Sequence, residues 1–207
     1  MKGRARMALR SNALTTLLQA KSHLGIPPSE TSLDARVELL INVASQHIET
    51  WTGRKLKSQT HTQLFDGRRQ NSLVPAEFPV TAISELRVDQ SHEFILSNTL
   101  WTEWMISDGG LTVTLPTQYF PQGYQNIKLV YTAGYEEVPA DLEYGCLLLI
   151  EWLYRFKNSG DIGRTSKNKG DESVGILQQI PEVVKEHIAP YKRLEVPGSL
   201  SPIGQQG

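Results

Sequence analysis

The chain has 207 residues, of which 39% are apolar and 21% charged, and its formal net charge is −1. A chain of this length buries roughly 70% of the surface its unfolded form exposes, so it forms a globular domain without a metal or disulfide staple. The near-zero charge excludes a strong general attraction to nucleic acid or to anionic membrane, and any partner must be recognised by shape and local chemistry.

The single cysteine, Cys146, has no internal disulfide partner. Placed in the apolar run 146–150, it reads as a small buried hydrophobe, and one free thiol suits a reducing cytoplasm. Lys2, Arg4, Arg6 and Arg10 precede no apolar stretch, so the start is not read as a secretory signal. No run reaches the roughly 18 apolar residues that a membrane span requires, and the expected location is the compartment that makes the protein.

In chain order, residues 1–13 form a basic arm expected to be flexible. A short helix fits residues 17–24, with Thr16 and Gln19 spaced as a capping box and Gly25 as its stop. Leu33, Val37, Leu40, Ala44, Ile48 and Trp51 then recur at spacings of four and three, the stripe of an amphipathic helix. Thr31 or Ser32 is the expected cap at its start, and Gly53 stands where a C-terminal glycine belongs.

From Lys57 the periodicity changes to that of strands. Candidates are residues 59–65, with Asp66-Gly67 as a turn, then 72–74, 82–88, 93–96, 104–106, 111–115 and 127–131. Apolar and polar residues alternate most cleanly at Leu111, Val113 and Leu115 and at Ile127, Leu129 and Tyr131, as in an antiparallel sheet with one buried face. Helix returns at Pro139, read as the first helical residue. Residues 142–156 are apolar nearly all round, which places this helix at the centre of the fold or at a subunit interface. Residues 159–175 are polar and rich in glycine and read as a long mobile loop. A last helix begins at Pro181, with Val184, Ile188 and Tyr191 facing inward, and Pro190 bends or stops it. The expected architecture is therefore α+β: a helical core from residues 14–56 and 136–193, an antiparallel β insertion at 57–135, and a flexible C-terminal arm at 194–207.

Catalytic arrangements do not emerge. His23, His47, His61, His92 and His187 lack metal-ligand spacing, and there is no Gly-x-Ser-x-Gly elbow. Gly160-Asp161-Ile162-Gly163 lacks the Gly-Lys-Ser/Thr ending of a phosphate loop. Asp141 and Glu143 fit the first turn of a helix, where negative charge meets the positive end of the dipole. Trp101 and Trp104 could stack on bases or sugars, but no cluster of cations accompanies them, and a core or interface role fits better. No enzyme, cofactor or metal site is read from the sequence.

Three blocks carry a family resemblance. Residues 35–56, which contain Trp51-Thr52-Gly53-Arg54, are similar to the second helix of bacteriophage head-to-tail connector (adaptor) proteins, which ends in an aromatic residue followed by Thr-Gly-Arg. Tyr131-Thr132-Ala133-Gly134-Tyr135, Val138-Pro139-Ala140-Asp141-Leu142 and the apolar helix after them resemble that family's most recognisable stretch. Pro181-Glu182-Val183-Val184 through Tyr191-Lys192-Arg193 resembles its final helix. The basic extension and the polar loop depart from the pattern.

The resemblance implies a structural subunit of a ring, commonly of twelve copies, beneath the portal. The ring extends the DNA channel and carries the next neck, stopper or tail-completion protein. On this reading Tyr191, Lys192, Arg193, Leu194 and Val196 meet the portal. Leu149, Trp152, Leu153, Phe156 and Trp51 lie between subunits, and Arg164, Lys167 and Lys169 face either the channel or the next neck protein. The partners are further copies of the chain, the portal and a downstream neck or tail protein, with DNA passing through and no membrane or cofactor. The free chain is expected to be a monomer. The alternatives are a nucleic-acid-binding packaging accessory, marked by steep salt dependence, another neck component such as a stopper, and a carbohydrate-binding or catalytic domain, which would need a concave polar pocket.

Overall fold

The computed structural model describes residues 8–94, 101–158, 166–169, 172–175 and 180–193. Its elements are α1 (Leu17–His23), α2 (Asp34–Thr52), β1 (Gln59–Gly67), β2 (Ser72–Leu73), β3 (Val80–Val88), β4 (Met105–Ile106), β5 (Val113–Thr114), β6 (Gly123–Ala133), α3 (Ala140–Asn158), β7 (Ser166–Lys169), β8 (Glu172–Gly175) and α4 (Glu182–Ile188). Short 3-10 turns cover Asp108–Gly110 and Ala189–Tyr191. The class is α+β, with antiparallel sheets between α2 and α3.

Apolar side chains gather in two clusters. The first is helical: Val37, Ile41, Ala44 and Ile48 of α2 meet Leu142, Cys146, Leu149 and Ile150 of α3, and α4 adds Val184 and Ile188. Helix α4 can lie close on α3 because Gly145 faces it; a Cβ there would stand 3.1 Å from His187 Cβ and Ile188 Cγ2. The buried residues of α3 place it at the centre of the helical cluster.

Helix α1 starts with the expected capping box, in which Gln19 N–H donates to Thr16 Oγ1 at 3.2 Å and Thr16 N–H donates to Gln19 Oε1 at 3.4 Å. The start of α2 differs from expectation. Neither Thr31 nor Ser32 caps it: Leu33 holds the cap position without a side-chain bond, and Ser32 N–H donates to Glu30 Oε1. Lys21 holds this corner instead. Its ammonium, 3% exposed, donates to Pro28 O, Glu30 O and Asp34 Oδ1 at 3.1, 2.7 and 2.7 Å, which binds α1 to the first turn of α2. At the other end of α2, Gly53 is left-handed (φ +71°) and its N–H closes on Glu49 O at 2.9 Å.

The second cluster belongs to the strands. One sheet has the order β1-β6-β3 and a smaller one the order β2-β5-β4. Between them lie Leu73, Leu86, Val113, Leu115, Phe120, Ile127, Leu129 and Tyr131, so Val113, Leu115 and the alternating residues of β6 point inward, whereas Leu111, expected on the same face, is exposed. Trp101 stacks on Phe120 with ring centres 5.6 Å apart, and Trp104 packs against the same cluster.

Further expectations need correction. Asp66 and Gly67 do not turn the chain; they close β1, with Gly67 opposite Gly123 beyond a bulge after Phe65. Glu93 and Phe94 form no strand, because the Asp89 carboxylate takes their N–H groups at 2.9 and 2.8 Å, and that of Ser91 at 2.8 Å, into a loop. The segment 159–175 is more than a loop: β7 and β8 pair antiparallel, Lys167 opposite Val174 and Lys169 opposite Glu172. Polar side chains hid a ladder that backbone bonds alone can make. Residues 139 and 181 each stand one position before their helices rather than inside them.

Candidate functional site

The three blocks that resemble connectors are far apart in sequence and meet at one place, the joint between the helical and the sheet cluster. The chain crosses this joint at residues 53–58, on leaving α2, and at residues 133–139, on entering α3. The two crossings are bonded to each other: Tyr135 N–H donates to Leu56 O at 2.8 Å and Ser58 N–H to Tyr135 O at 3.0 Å. Gly134 allows the approach. Its φ is +104°, and a Cβ on it would stand 2.6 Å from Lys57 O.

Arg54 fills the centre of the joint, 3% exposed. Its guanidinium lies over the Phe78 ring, 3.5 Å from the ring centre, and donates through Nη2 to Phe78 O. Its Nε and Nη1 have no hydrogen-bond partner. Burial pulls the Arg54 pKa down, and the nearby Arg193 cation adds to that. Phe78 precedes Pro79 through a cis peptide. Beside them Glu77 Oε2 accepts from Lys55 N–H at 2.8 Å, and Oε1 faces Arg193 Nη2 at 3.4 Å. Burial outweighs these favourable neighbours and holds the Glu77 carboxyl above its ordinary range. Tyr131 closes the floor: its hydroxyl donates to Gln63 Oε1 at 3.0 Å and accepts from Glu77 N–H at 3.3 Å, and burial pushes its pKa up to about 12.

The end of the third block lies across this joint as a strap. Tyr191 donates its hydroxyl to Asp141 Oδ1 at the start of α3 and sets its ring edge-on to Tyr135, centres 5.7 Å apart. Burial raises the Tyr191 pKa, reinforced by Asp141. The Lys192 ammonium stands 5.4 Å from the centre of the Trp51 ring. Arg193 N–H donates to Thr52 O at 2.8 Å while its guanidinium reaches Ala76 O and Glu77. Tyr191, Lys192 and Arg193, which the sequence assigns to a portal contact, are thus engaged within their own chain. Leu194 and Val196 lie outside the described residues, as does Arg164.

The residues assigned to a subunit interface separate into two kinds. Leu149 is 1% exposed in the helical cluster and belongs to its own protomer's core, so it cannot serve as an interface side chain in this conformation. It lies about one turn after Cys146 and two after Leu142, on the same buried face of α3. Trp152, Leu153 and Trp51 are half-buried at the margin of that cluster. Phe156 lies in α3, but its side chain is outside the described set, and Lys167 and Lys169 are placed only by their register in β7.

Sequence reasoning did not single out Glu77, Phe78, Tyr135 or Asp141 as one constellation. The available signal was that Arg54, Tyr135 and Arg193 each belong to a block of the resemblance. The arrangement has the means to hold two cores at a fixed angle. In the helical cluster, burial pushes the Cys146 thiol up to about 12, and no cluster of three or more metal-binding side chains forms among the described residues. No helix is long and apolar enough to cross a membrane among those residues.

The sequence profile of the head completion protein family matches residues 13–194. The chain belongs to the head completion protein family. No curated protein matches it. Among solved structures, this head completion protein is similar to a chain in the neck of an empty gene transfer agent particle computed with C6 symmetry. That match has a TM-score of 0.60 and 18% identity and covers 93% of this chain and 96% of the other. A chain in the virion of the native gene transfer agent particle matches with the same values. One in the neck of the native particle computed with C12 symmetry has a TM-score of 0.59 and 19% identity over the same shares. At these identities the likeness establishes that the head completion protein has their fold.

Proposed function

We propose that this head completion protein is a structural subunit of the neck of a phage-like particle. In this role identical chains close into a ring under the portal, extend the DNA channel and offer a platform to the next neck or tail protein. The observation that carries the reading is the coincidence of family and fold along almost the whole chain: the profile spans residues 13–194, and the neck proteins it resembles share 93% of its length. The sixfold and twelvefold symmetry of those necks supports a cyclic assembly. A net charge of −1 suits a lumen through which DNA must pass without being held.

Because Tyr191–Arg193 bind Asp141, Trp51 and Glu77 of their own chain, the portal contact falls to Leu194 and Val196, with the strap as their anchor. Trp51, Trp152 and Leu153 remain the candidates for a contact between subunits. The test is to mix the purified full chain with portal rings and image the product by electron microscopy. A second ring, coaxial with the portal, is the expected outcome and gives the subunit number. Bare portal rings in the presence of folded chain would refute the reading, and steeply salt-dependent DNA binding would then favour a packaging accessory.

A further inference from the structure

The main sheet treats its two edges differently. Strand β3 is guarded: two register shifts break its regularity, Trp101 N–H donates to Leu86 O at 2.9 Å, and Gly110 presses so closely that a Cβ on it would lie 2.6 Å from Val80 N. Strand β1 has no such guard. It is 9 residues long, contains neither proline nor lysine, and is irregular only after Phe65. Among the described residues its only backbone ladder is with β6, so the outward row of N–H and C=O groups is open. Open edges of this length are what natural sheets cover, charge or shorten, because they template pairing with another chain.

The chain also carries a pairing element that lacks a sheet. Strands β7 and β8 pair only with each other, without a third strand among the described residues. An isolated two-stranded hairpin is marginal in water and gains stability by joining a further strand. It follows α3, whose 19 residues carry the chain about 28 Å from the joint at 1.5 Å per residue.

We infer that the open edge of β1 accepts the β7–β8 hairpin of a second copy of this chain, so that neighbouring subunits share a continuous antiparallel or parallel sheet. Donor and acceptor are different surfaces, which is the requirement for a head-to-tail contact that closes into a ring. Main-chain bonds supply the affinity, as in other strand-addition contacts, and need little apolar surface. The inference rests on the cyclic-assembly reading above and specifies the contact that would build it.

Disulfide trapping in portal-bound assemblies of the full chain tests it. Paired strands bring opposite Cα atoms to about 5 Å, within the span of a disulfide. Thr60→Cys, Thr62→Cys or Leu64→Cys, all on one exposed face of β1, would each be combined with Asn168→Cys, Lys167→Cys, Ser173→Cys or Val174→Cys. The native Cys146 is fully buried and adds no background. The expected result is a ladder of linked chains in at least one combination, absent from each single variant. Mixed isotopically labelled and unlabelled chains would show by peptide mass spectrometry that the link joins different copies. Amide exchange of β1 should also slow on assembly by on the order of tenfold or more in alternate residues. Rings seen by microscopy with no β1–hairpin link, with a link inside one chain only, or with β1 protected by the portal instead, would overturn this inference and leave the ring reading intact. Absence of rings from folded wild-type chain would refute both.

Discussion

Arg54 brings a cation into a site where one nitrogen meets an oxygen and two meet nothing. The contact with Phe78 is therefore mainly a stacked, well-packed plane, and the charge itself is poorly compensated there. Arg54→Ala removes the plane and leaves a cavity, with an expected loss of about 2–4 kcal/mol in chemical denaturation. Arg54→Met keeps most of the volume and removes the desolvated charge, so it should recover at least about half of that loss; a Met variant as unstable as the Ala variant would show that the charge is essential. Glu77 supplies a pH signature. Its folded pKa lies above the ordinary 4.5, so the folded state holds the proton more tightly. Its stabilising share is complete below that ordinary value and is lost as pH rises through the raised folded one. The stability difference between wild type and Glu77→Gln should thus move against the wild type as pH climbs from 4 upward. Asp89 acts with the opposite sign: the Ser91 hydroxyl and three N–H groups hold it down at about 2, so its contribution is present above the ordinary 3.8 and fades as pH falls toward 2. At this scale the sequence revealed Arg54, through the Trp-Thr-Gly-Arg block, and concealed Glu77. No periodicity marks a carboxylate in a loop whose partner, Arg193, is 116 residues away.

The elements that were legible are those whose side chains do the pairing. The stripe of α2 and the alternation of β6 report which face is buried, because burial chooses side chains by polarity. The hairpin β7–β8 was invisible for the complementary reason: its ladder uses backbone groups, which every residue carries. Glycine marked the chain reliably only at the helix stops Gly25 and Gly53, which are left-handed. At Gly134, which the sequence shows only as part of a conspicuous block, a left-handed φ and a Cβ position 2.6 Å from Lys57 O act together. Gly134→Ala should therefore cost roughly 2–4 kcal/mol, far above an ordinary exposed substitution, and should raise amide exchange at residues 56–58. The strap gives a sharper contrast. Ending the chain after Arg193 keeps every described contact of the joint and should change stability by less than about 0.5 kcal/mol. Ending it after Ile188 deletes the Tyr191–Asp141 and Arg193–Glu77 bonds and should lower stability by roughly 2–4 kcal/mol. Equal stabilities for the two truncations would show that the strap does not hold the joint.

As a whole, the molecule is two cores joined by two chain crossings and a strap. The change of period at Lys57 disclosed the looped-out sheet, but that the C-terminal residues return to lock it to the helices depended on contacts between distant blocks. The four tryptophans allow this coupling to be measured, because they divide evenly. Trp51 and Trp152 pack on the helical cluster, Trp101 and Trp104 on the sheet cluster. With Trp101 and Trp104 changed to Phe, fluorescence reports the helices; with Trp51 and Trp152 changed, it reports the sheet. If the joint makes the cores one cooperative unit, both reporters should give the same urea midpoint in the otherwise native chain. Adding Arg54→Ala and Arg193→Ala removes the guanidinium stack and the strap's ion pair. The sheet cluster then loses support from the helices, while the helical cluster keeps its contacts among α2, α3 and α4. The sheet reporter should shift below the helical one by about 1 M urea, the displacement expected when roughly 2 kcal/mol is lost and the slope is about 2 kcal/mol per molar. Midpoints that stay together in this background would mean that the two covalent crossings suffice to couple the cores without the strap.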